Sequence, residues 1–182
     1  MTEPSDFWVR KMMTHFTRLD ANGDGVVTEK DFDAIADRFI EVGGLDNQGA
    51  EVLRSNLNAI WRNYWNAADT NRDGQVTPNE FVTSMTHVVS SPELREKVGG
   101  PLPLFFKAID ANSDGVISAT DYENFFKCIG IDPSLAARSF SAIDSNGDGV
   151  LSEDEFVAAG EEFFLSEDVN APTQNYWGPL VD

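Results

Sequence analysis

The sequence predicts an all-α fold made of four helix–loop–helix units in two pairs. The first observation is a fourfold repeat of the pattern Asp-x-Asn-x-Asp-Gly, at the start of loops that span residues 20–31, 69–80, 110–121 and 144–155. The second is that apolar residues recur at helical spacing on both sides of every loop. The third is an aliphatic residue two positions after the last glycine of each repeat.

Each loop is expected to join an entering helix to an exiting one. Before the first loop, Trp8, Met12 and Phe16 recur at a spacing of four, and Phe32 follows directly after it. The other three units carry the same pair of flanking aromatic residues, namely Trp65 and Phe81, Phe106 and Tyr122, and Phe140 and Phe156. We interpret all these stripes as core. The exiting helices begin inside the loops, because Thr77-Pro78-Asn79-Glu80 is a capping-box pattern.

The aliphatic residues predict contacts between paired loops. We expect Val27 to pair with Val76, and Ile117 with Leu151, in two short two-stranded bridges that keep the fold compact. The chain divides near Ser90-Ser91-Pro92, which predicts an N-terminal pair over 1–91 and a C-terminal pair over 92–182 that includes an apolar tail. Gly99-Gly100-Pro101 disfavours one long central helix and favours halves folded onto each other.

The loops provide the ligands of a calcium site. Ca²⁺ takes six to eight oxygen ligands, and a 12-residue loop offers them at positions 1, 3, 5, 7, 9 and 12, with position 7 contributing its backbone carbonyl. The predicted ligands of the four sites, in loop order, are Asp20, Asn22, Asp24, Val26, Thr28 and Asp31; Asp69, Asn71, Asp73, Gln75, Thr77 and Glu80; Asp110, Asn112, Asp114, Val116, Ser118 and Asp121; and Asp144, Asn146, Asp148, Val150, Ser152 and Glu155.

A metal-free acidic loop rich in Asx turns is the alternative interpretation of one such segment. Four repeats with the position 8, 9 and 12 residues in place argue against it. Three carboxylates per loop repel one another in the absence of a cation, so binding of divalent cations is expected to contribute to folding. We therefore expect up to four Ca²⁺ ions.

Charge and cysteine content exclude several classes of function. The net charge of −18 argues against nucleic-acid and anionic-membrane partners, since both require a basic surface. A single cysteine, Cys128, excludes an internal disulfide and fits a cytoplasmic protein, and its apolar helical setting indicates a buried, inert thiol. The N-terminal residues lack the features of a secretory signal, and no apolar stretch is long enough to span a bilayer.

With these motifs in hand, the chain resembles the EF-hand sarcoplasmic calcium-binding proteins of invertebrates, most closely the annelid type. Beyond the loops, the resemblance rests on residues 5–9, residues 100–106 and Trp177-Gly178-Pro179-Leu180. It implies a compact all-α fold, cytosolic buffering of calcium and magnesium in muscle, no enzymatic activity and no obligatory protein partner.

Two departures from the family pattern matter for the metal sites. The second loop, often degraded in this family, keeps every ligand type here, so we expect it to bind a cation. Asp31 and Asp121 close the first and third loops where glutamate is usual. Because aspartate is one methylene shorter, we expect these two loops to tolerate Mg²⁺ better than the others.

Two other functions remain open at this point. A calcium sensor that binds target proteins would need a flexible Met-rich surface, whereas this chain has four Met and 13 Phe. A luciferin-binding or light-emitting protein would need histidines around a chromophore, but His15 and His87 are interpreted as surface or core-edge residues. We also expect the apolar tail with Tyr176, Trp177 and Leu180 to cover the surface between the halves, which favours a buffer.

Overall fold

The computed structural model describes residues 4–181 and is mainly helical in that range. In the same range, 3₁₀ turns occur at Trp65–Ala67, before the second loop, at Pro133–Leu135, before the helix that enters the fourth loop, and at Pro172–Asn175, in the tail. The helices, in chain order, are α1 Asp6–Leu19, α2 Glu29–Gly43, α3 Asn47–Asn63, α4 Pro78–Ser90, α5 Pro92–Arg95, α6 Leu102–Ile109, α7 Ala119–Cys128, α8 Ala136–Ile143 and α9 Glu153–Leu165.

The loops pair as predicted. Strands β1 (Val116–Ser118) and β2 (Val150–Ser152) are antiparallel, with Ile117 opposite Leu151. In the first pair of loops, the contact is a single bridge in which Val27 and Val76 exchange two backbone hydrogen bonds of 2.9 and 2.8 Å. The all-α fold with bridged loop pairs is therefore confirmed.

The helix starts also agree with the sequence. In α4, Pro78 occupies the first turn, the Thr77 hydroxyl accepts the N–H of Glu80, and the Glu80 carboxylate accepts the N–H of Thr77. The helix that enters the second loop differs from expectation. It ends at Asn63, and Trp65 lies on the following 3₁₀ turn, so this unit enters its loop through a tighter turn than the other three.

The two halves are folded onto each other. Helix α2 packs on α7, α3 on α6, and α1 on α9, and each of these three contacts joins a helix before residue 91 to one after it. Between α4 and α6 the chain forms the four-residue α5 and a run of turns over residues 96–101, which confirms that no long central helix joins them. Arg38 of α2 adds a polar link by donating to the backbone carbonyl of Cys128 at 3.1 Å.

The apolar tail lies in the interface between the halves, as predicted. Trp177 is 0% exposed, and its indole contacts His15 of α1 in the first half and Phe105 and Phe125 in the second. Tyr176 is buried beside Phe156, and its hydroxyl donates to the Phe156 carbonyl at 3.1 Å.

His15 corrects one expectation from the sequence. The sequence predicts a surface or core-edge residue, but His15 is 4% exposed and lies among the rings of Trp65, Phe81, Phe105, Phe164 and Trp177. Burial lowers its pKa from 6.5 to about 3, because the charged imidazolium would lose its hydration there. His15 is therefore a neutral residue of the core, whereas His87 is exposed.

Cys128 is buried as expected, and desolvation raises the pKa of its thiol to about 11.

Among the helices within residues 4–181, none combines the length and the apolar character needed to cross a membrane.

Candidate metal centres

All four loops fold their first acidic residue inwards onto the glycine at position 6. This glycine adopts a positive φ of 81–88° in every loop, which turns its N–H back towards the start of the loop. The N–H donates to the first carboxylate at 2.9–3.0 Å in four equivalent bonds, Gly25 to Asp20, Gly74 to Asp69, Gly115 to Asp110, and Gly149 to Asp144.

The asparagine at position 3 and the aspartate at position 5 are held together in the same way. The amide oxygen of the asparagine accepts the backbone N–H of the aspartate at 2.7–3.0 Å, in the pairs Asn22–Asp24, Asn71–Asp73, Asn112–Asp114 and Asn146–Asp148. Together, these bonds hold the side chains of positions 1, 3 and 5 in place within each loop.

In the first loop, the closing carboxylate spans the loop. Asp31 is 1% exposed, and its Oδ2 accepts the N–H and the hydroxyl of Thr28 at 2.8 and 2.7 Å. Its Oδ1 accepts the backbone N–H groups of Ala21 and Asn22 at 3.1 and 3.4 Å. The short side chain therefore reaches from the exiting helix to the start of the loop.

Arg38 also contacts the first loop. It lies about two turns beyond Asp31 on α2 and donates to the carbonyl of Ala21 at 2.7 Å and to the carbonyl of Cys128, in the second half, at 3.1 Å. Burial lowers the hydration of charged groups, and a guanidinium with two carbonyl partners recovers part of that loss. The role of Arg38 leaves no signal in the sequence, because its partners are backbone carbonyls and not a pattern of side chains.

In the second loop, Glu80 makes the corresponding closure. Its Oε2 accepts the N–H and the hydroxyl of Thr77 at 3.0 and 2.8 Å, and its Oε1 accepts the hydroxyl of Thr70 at 2.9 Å. These bonds to the N–H of Thr77 and then to the two hydroxyls lower the pKa of Glu80 to about 2. The carboxylate is therefore ionised at neutral pH, as a cation ligand requires.

The fourth loop repeats this geometry with a second glutamate. Oε2 of Glu155 accepts the N–H of Ser152 at 3.1 Å, and Oε1 accepts the N–H groups of Ser145 and Asn146 at 3.1 and 3.2 Å. The bond from the Ser152 N–H is the main cause that lowers the pKa of Glu155 to about 2.

The third loop is closed differently. Asp121 accepts the N–H and the hydroxyl of Ser118 at 2.9 and 2.6 Å, but in the described range neither Ala111 nor Asn112 donates to it. The N–H of Ala111 instead donates to the carbonyl of Ile109 at 2.8 Å. The sequence predicts the same closure for the two loops that end in aspartate, but the structure shows different hydrogen bonds at Asp31 and Asp121.

The donors of each loop match a hard cation in kind, since carboxylate, amide, hydroxyl and backbone oxygens are the ligands that Ca²⁺ and Mg²⁺ take. Within residues 4–181, no three Asp, Glu, His or Cys side chains gather closely enough to form a metal site by themselves. A cation in these loops would be bound by the mixed oxygen set.

Comparisons with known proteins agree with this geometry. The family model for an EF-hand domain pair matches residues 102–159, and the model for an EF hand matches residues 15–36 and 66–85. The sarcoplasmic calcium-binding protein of Perinereis vancaurica tetradentata is 44% identical over 178 residues, which are 97% of this chain and 100% of that protein. This chain belongs to the sarcoplasmic calcium-binding protein family.

A second family member and one solved structure extend the comparison. The sarcoplasmic calcium-binding protein of Hediste diversicolor is 42% identical over 177 residues, which are 97% of this chain and 100% of that protein. The calcium-loaded apo form of the coelenterazine-binding protein of Renilla muelleri has a TM-score of 0.80 at 23% identity and covers 96% of both chains. This likeness shows that the two chains share a fold.

Proposed function

We propose that this protein binds Ca²⁺ in all four loops and buffers the cation in the cytoplasm, with no catalytic activity and no obligatory protein partner. The observation that carries the proposal is that the same oxygen-donor set recurs in each loop, from the first Asp to the acid at position 12. The family membership supports Ca²⁺ as the ligand. The division into an N-terminal pair over 1–91 and a C-terminal pair over 92–182 belongs to the same proposal.

The closing residue at position 12 is expected to set the cation preference of each loop. Glu80 and Glu155 can offer both carboxylate oxygens to a large cation while remaining on the exiting helix, which favours Ca²⁺ in the second and fourth loops. Asp121 lacks the reach across the third loop, which favours six-coordination and makes this loop the one most tolerant of Mg²⁺. The first loop, drawn together by Asp31 and Arg38, is expected to tolerate Mg²⁺ as well, but to change less when its closing residue is lengthened.

The tail supports buffering over signalling. A sensor exposes an apolar groove when it binds Ca²⁺. Here the apolar surface between the halves is covered by Trp177 and Tyr176, both nearly inaccessible to solvent. A target helix would have to displace them, so we propose that the loaded protein offers no such groove.

Calorimetric titration of the metal-free chain with Ca²⁺ tests the stoichiometry. We expect four equivalents for the parent protein and three for each of four variants that remove one closing acid, Asp31→Asn, Glu80→Gln, Asp121→Asn and Glu155→Gln. Glu93→Gln, an exposed acid outside the loops, is the matched control and should keep four. A parent endpoint of three or fewer, or a Glu80→Gln variant that binds as many ions as the parent, would contradict the proposal for the second loop.

A fluorescent hydrophobic dye tests the buffering role. We expect no gain of dye binding when Ca²⁺ is added to the intact chain. A calcium-dependent gain would instead identify a sensor.

A further inference from the structure

Tyr176 of the tail forms hydrogen bonds to both exiting helices of the second half, α7 and α9. Tyr122 directly follows the closing acid Asp121 on α7, and Phe156 directly follows the closing acid Glu155 on α9. The carbonyl of Tyr176 accepts the hydroxyl of Tyr122 at 2.9 Å, and the hydroxyl of Tyr176 donates to the carbonyl of Phe156 at 3.1 Å. One tail residue therefore joins the residues next to the two closing acids.

Both hydroxyl groups are enclosed in the protein. Tyr122 and Tyr176 are 0% and 1% exposed, and burial raises the pKa of each phenol, so both stay protonated and act as donors at neutral pH. The hydroxyl of Tyr176 also fits closely on α9, because a methyl group at Gly160 would lie 3.0 Å from its oxygen. Glycine at this position, one turn after Phe156, leaves the space that the bond requires.

Further bonds hold the residues just before Tyr176 against the helices of the fourth loop. The Ser139 hydroxyl of α8 donates to the carbonyl of Asn175 at 2.8 Å. The Thr173 hydroxyl donates to the carboxylate of Glu162, on α9, at 2.9 Å. This part of the tail is therefore attached to the entering and the exiting helix of the fourth loop, and Tyr176 extends the attachment to the third.

We propose that Tyr176 is a positioning residue for the third and fourth cation sites, which holds the starts of α7 and α9, and with them Asp121 and Glu155, in the arrangement that binds a cation. The inference rests on the proposed function, since it requires both loops to bind Ca²⁺. The three carboxylates of a loop repel one another when no cation neutralises them, and the start of the exiting helix can move away to relieve this repulsion. A bond to the residue after the closing acid opposes the movement. It is therefore stronger in the loaded protein than in the metal-free one, and by linkage it raises the cation affinity.

The first and second loops are attached to the tail differently. Phe32 and Phe81 follow their closing acids, and within residues 4–181 no hydrogen bond joins either of them to the tail. The bonds that the tail makes to Arg18 and Thr14 lie on α1, the helix that enters the first loop. The effect of Tyr176 on affinity is therefore expected in the third and fourth loops alone.

Ca²⁺ titrations of the full chain against a competing chelator, followed by NMR, test the proposal loop by loop. The N–H of the glycine at position 6 donates to the first carboxylate of its loop, so each site has its own reporter, namely Gly25, Gly74, Gly115 and Gly149. In Tyr176→Phe, we expect the Ca²⁺ affinity of the fourth loop to fall roughly three- to tenfold, the effect of one net hydrogen bond. In Tyr122→Phe, the third loop should lose affinity by a similar factor. The first and second loops should keep the parent affinity in both variants.

Two control variants separate this role from a general effect on the fold. Tyr64→Phe removes a phenol hydroxyl from an exposed residue and should leave all four loops unchanged. Ser139→Ala removes a bond to the neighbouring tail carbonyl, but from the helix that enters the fourth loop, so the third loop should keep its affinity. Denaturation with and without Ca²⁺ gives a second readout. Tyr176→Phe and Tyr122→Phe should destabilise the loaded chain more than the metal-free chain, by the factor lost in affinity.

Two results would overturn the proposal. Unchanged affinity of the third and fourth loops in both tyrosine variants would show that the bonds are equally strong with and without the cation. An equal loss in all four loops would assign the effect to a general loosening of the fold. A failure of the proposed function appears in the parent instead, where a silent Gly25 or Gly74 would contradict four-site binding alone and a silent Gly115 or Gly149 would overturn both inferences.

Discussion

The indole ring of Trp177 lies against the imidazole ring of His15, with 4.4 Å between the ring centroids. One residue belongs to the first helix and the other to the tail, and 161 positions separate them in the sequence. Around them the rings of Phe105 and Phe125 complete the contact between the halves. The centre of the molecule is therefore built from its two ends and its middle together.

Removal of the Trp177 side chain should destabilise the whole protein. We expect Trp177→Ala to lower the free energy of unfolding by about 3–5 kcal/mol, the usual cost of truncating a buried aromatic residue. Chemical denaturation in saturating Ca²⁺ measures this, and the variant should bind hydrophobic dye where the parent does not. Val169→Ala, at a tail residue that is 55% exposed, is the control and should change stability by less than about 0.5 kcal/mol. Equal stability of the two variants would show that the tail is not part of the core.

His15 should make stability depend on pH in a specific window. Its pKa is about 3 in the folded chain and 6.5 when unfolded, so between these values the unfolded chain binds a proton that the folded chain does not. The contribution of His15 to the free energy of unfolding should therefore be fully present above pH 6.5. Below pH 6.5, the free energy of unfolding should fall by about 1.4 kcal/mol per pH unit, towards pH 3. Denaturation curves at several pH values measure the slope.

The matched variant for this pH effect is His15→Phe. Both proteins share all carboxylates, so the difference between their pH profiles isolates the imidazole. We expect the variant to lose the slope that His15 contributes between pH 4 and 6.5, whereas His87→Phe, at an exposed position, should retain it. Parallel profiles for the parent and His15→Phe would mean that His15 is not neutralised by burial.

The second loop carries backbone strain at position 4. Arg72 has a φ of 62°, while the first and fourth loops have glycine there with φ of 72–73°. A left-handed conformation costs a non-glycine residue about 1–2 kcal/mol. Glycine avoids this cost, but it also raises the conformational entropy of the unfolded chain, which offsets part of the gain in stability. Arg72→Gly should therefore raise the free energy of unfolding by about 1 kcal/mol. Arg72→Ala removes the charge but keeps the strain, so an equal gain from alanine would assign the effect to electrostatics.

The closing aspartates of the first and third loops should respond differently to lengthening. We expect Asp121→Glu to raise the preference of the third loop for Ca²⁺ over Mg²⁺ by roughly tenfold or more, since one extra bond to a charged group contributes about 1.5–3 kcal/mol. Asp31→Glu should gain less, because Asp31 already contacts both ends of its loop. Calorimetry with Ca²⁺ in millimolar Mg²⁺ compares the two. The same change in both loops would refute the distinction drawn from their hydrogen bonds.

Local sequence patterns predicted the helices, the paired loops and the buried tail. Each depends on residues close in sequence or on a strongly apolar cluster such as Tyr176-Trp177, for which burial is the favourable outcome. The early end of α3 at Asn63 was not predicted, because Tyr64 and Trp65 continue an apolar stripe that helical spacing alone cannot distinguish from a 3₁₀ turn. Tyr64 continues the stripe of the buried Ile60 but is itself 38% exposed.

The position of His15 could have been found in the sequence. It follows Met12 by three residues and precedes Leu19 by four, so it lies on the buried face of α1. The polar character of histidine favours a surface or core-edge position, but the helical spacing is the signal that agrees with the structure. The different closures at Asp31 and Asp121 had no such signal, because the same residue type closes both loops.

The hydrogen bonds between the tail and α1 also set an order of events during synthesis. Arg18 donates to the carbonyls of Trp177 and Pro179 at 3.2 and 2.8 Å, and the Thr14 hydroxyl accepts the N–H of Val181 at 3.0 Å. Translation produces α1 more than 150 residues before Trp177. The helix can pack on α4 as soon as that helix has been made, but the contact between His15 and Trp177 can form only after translation has reached the tail. This part of the core therefore closes late.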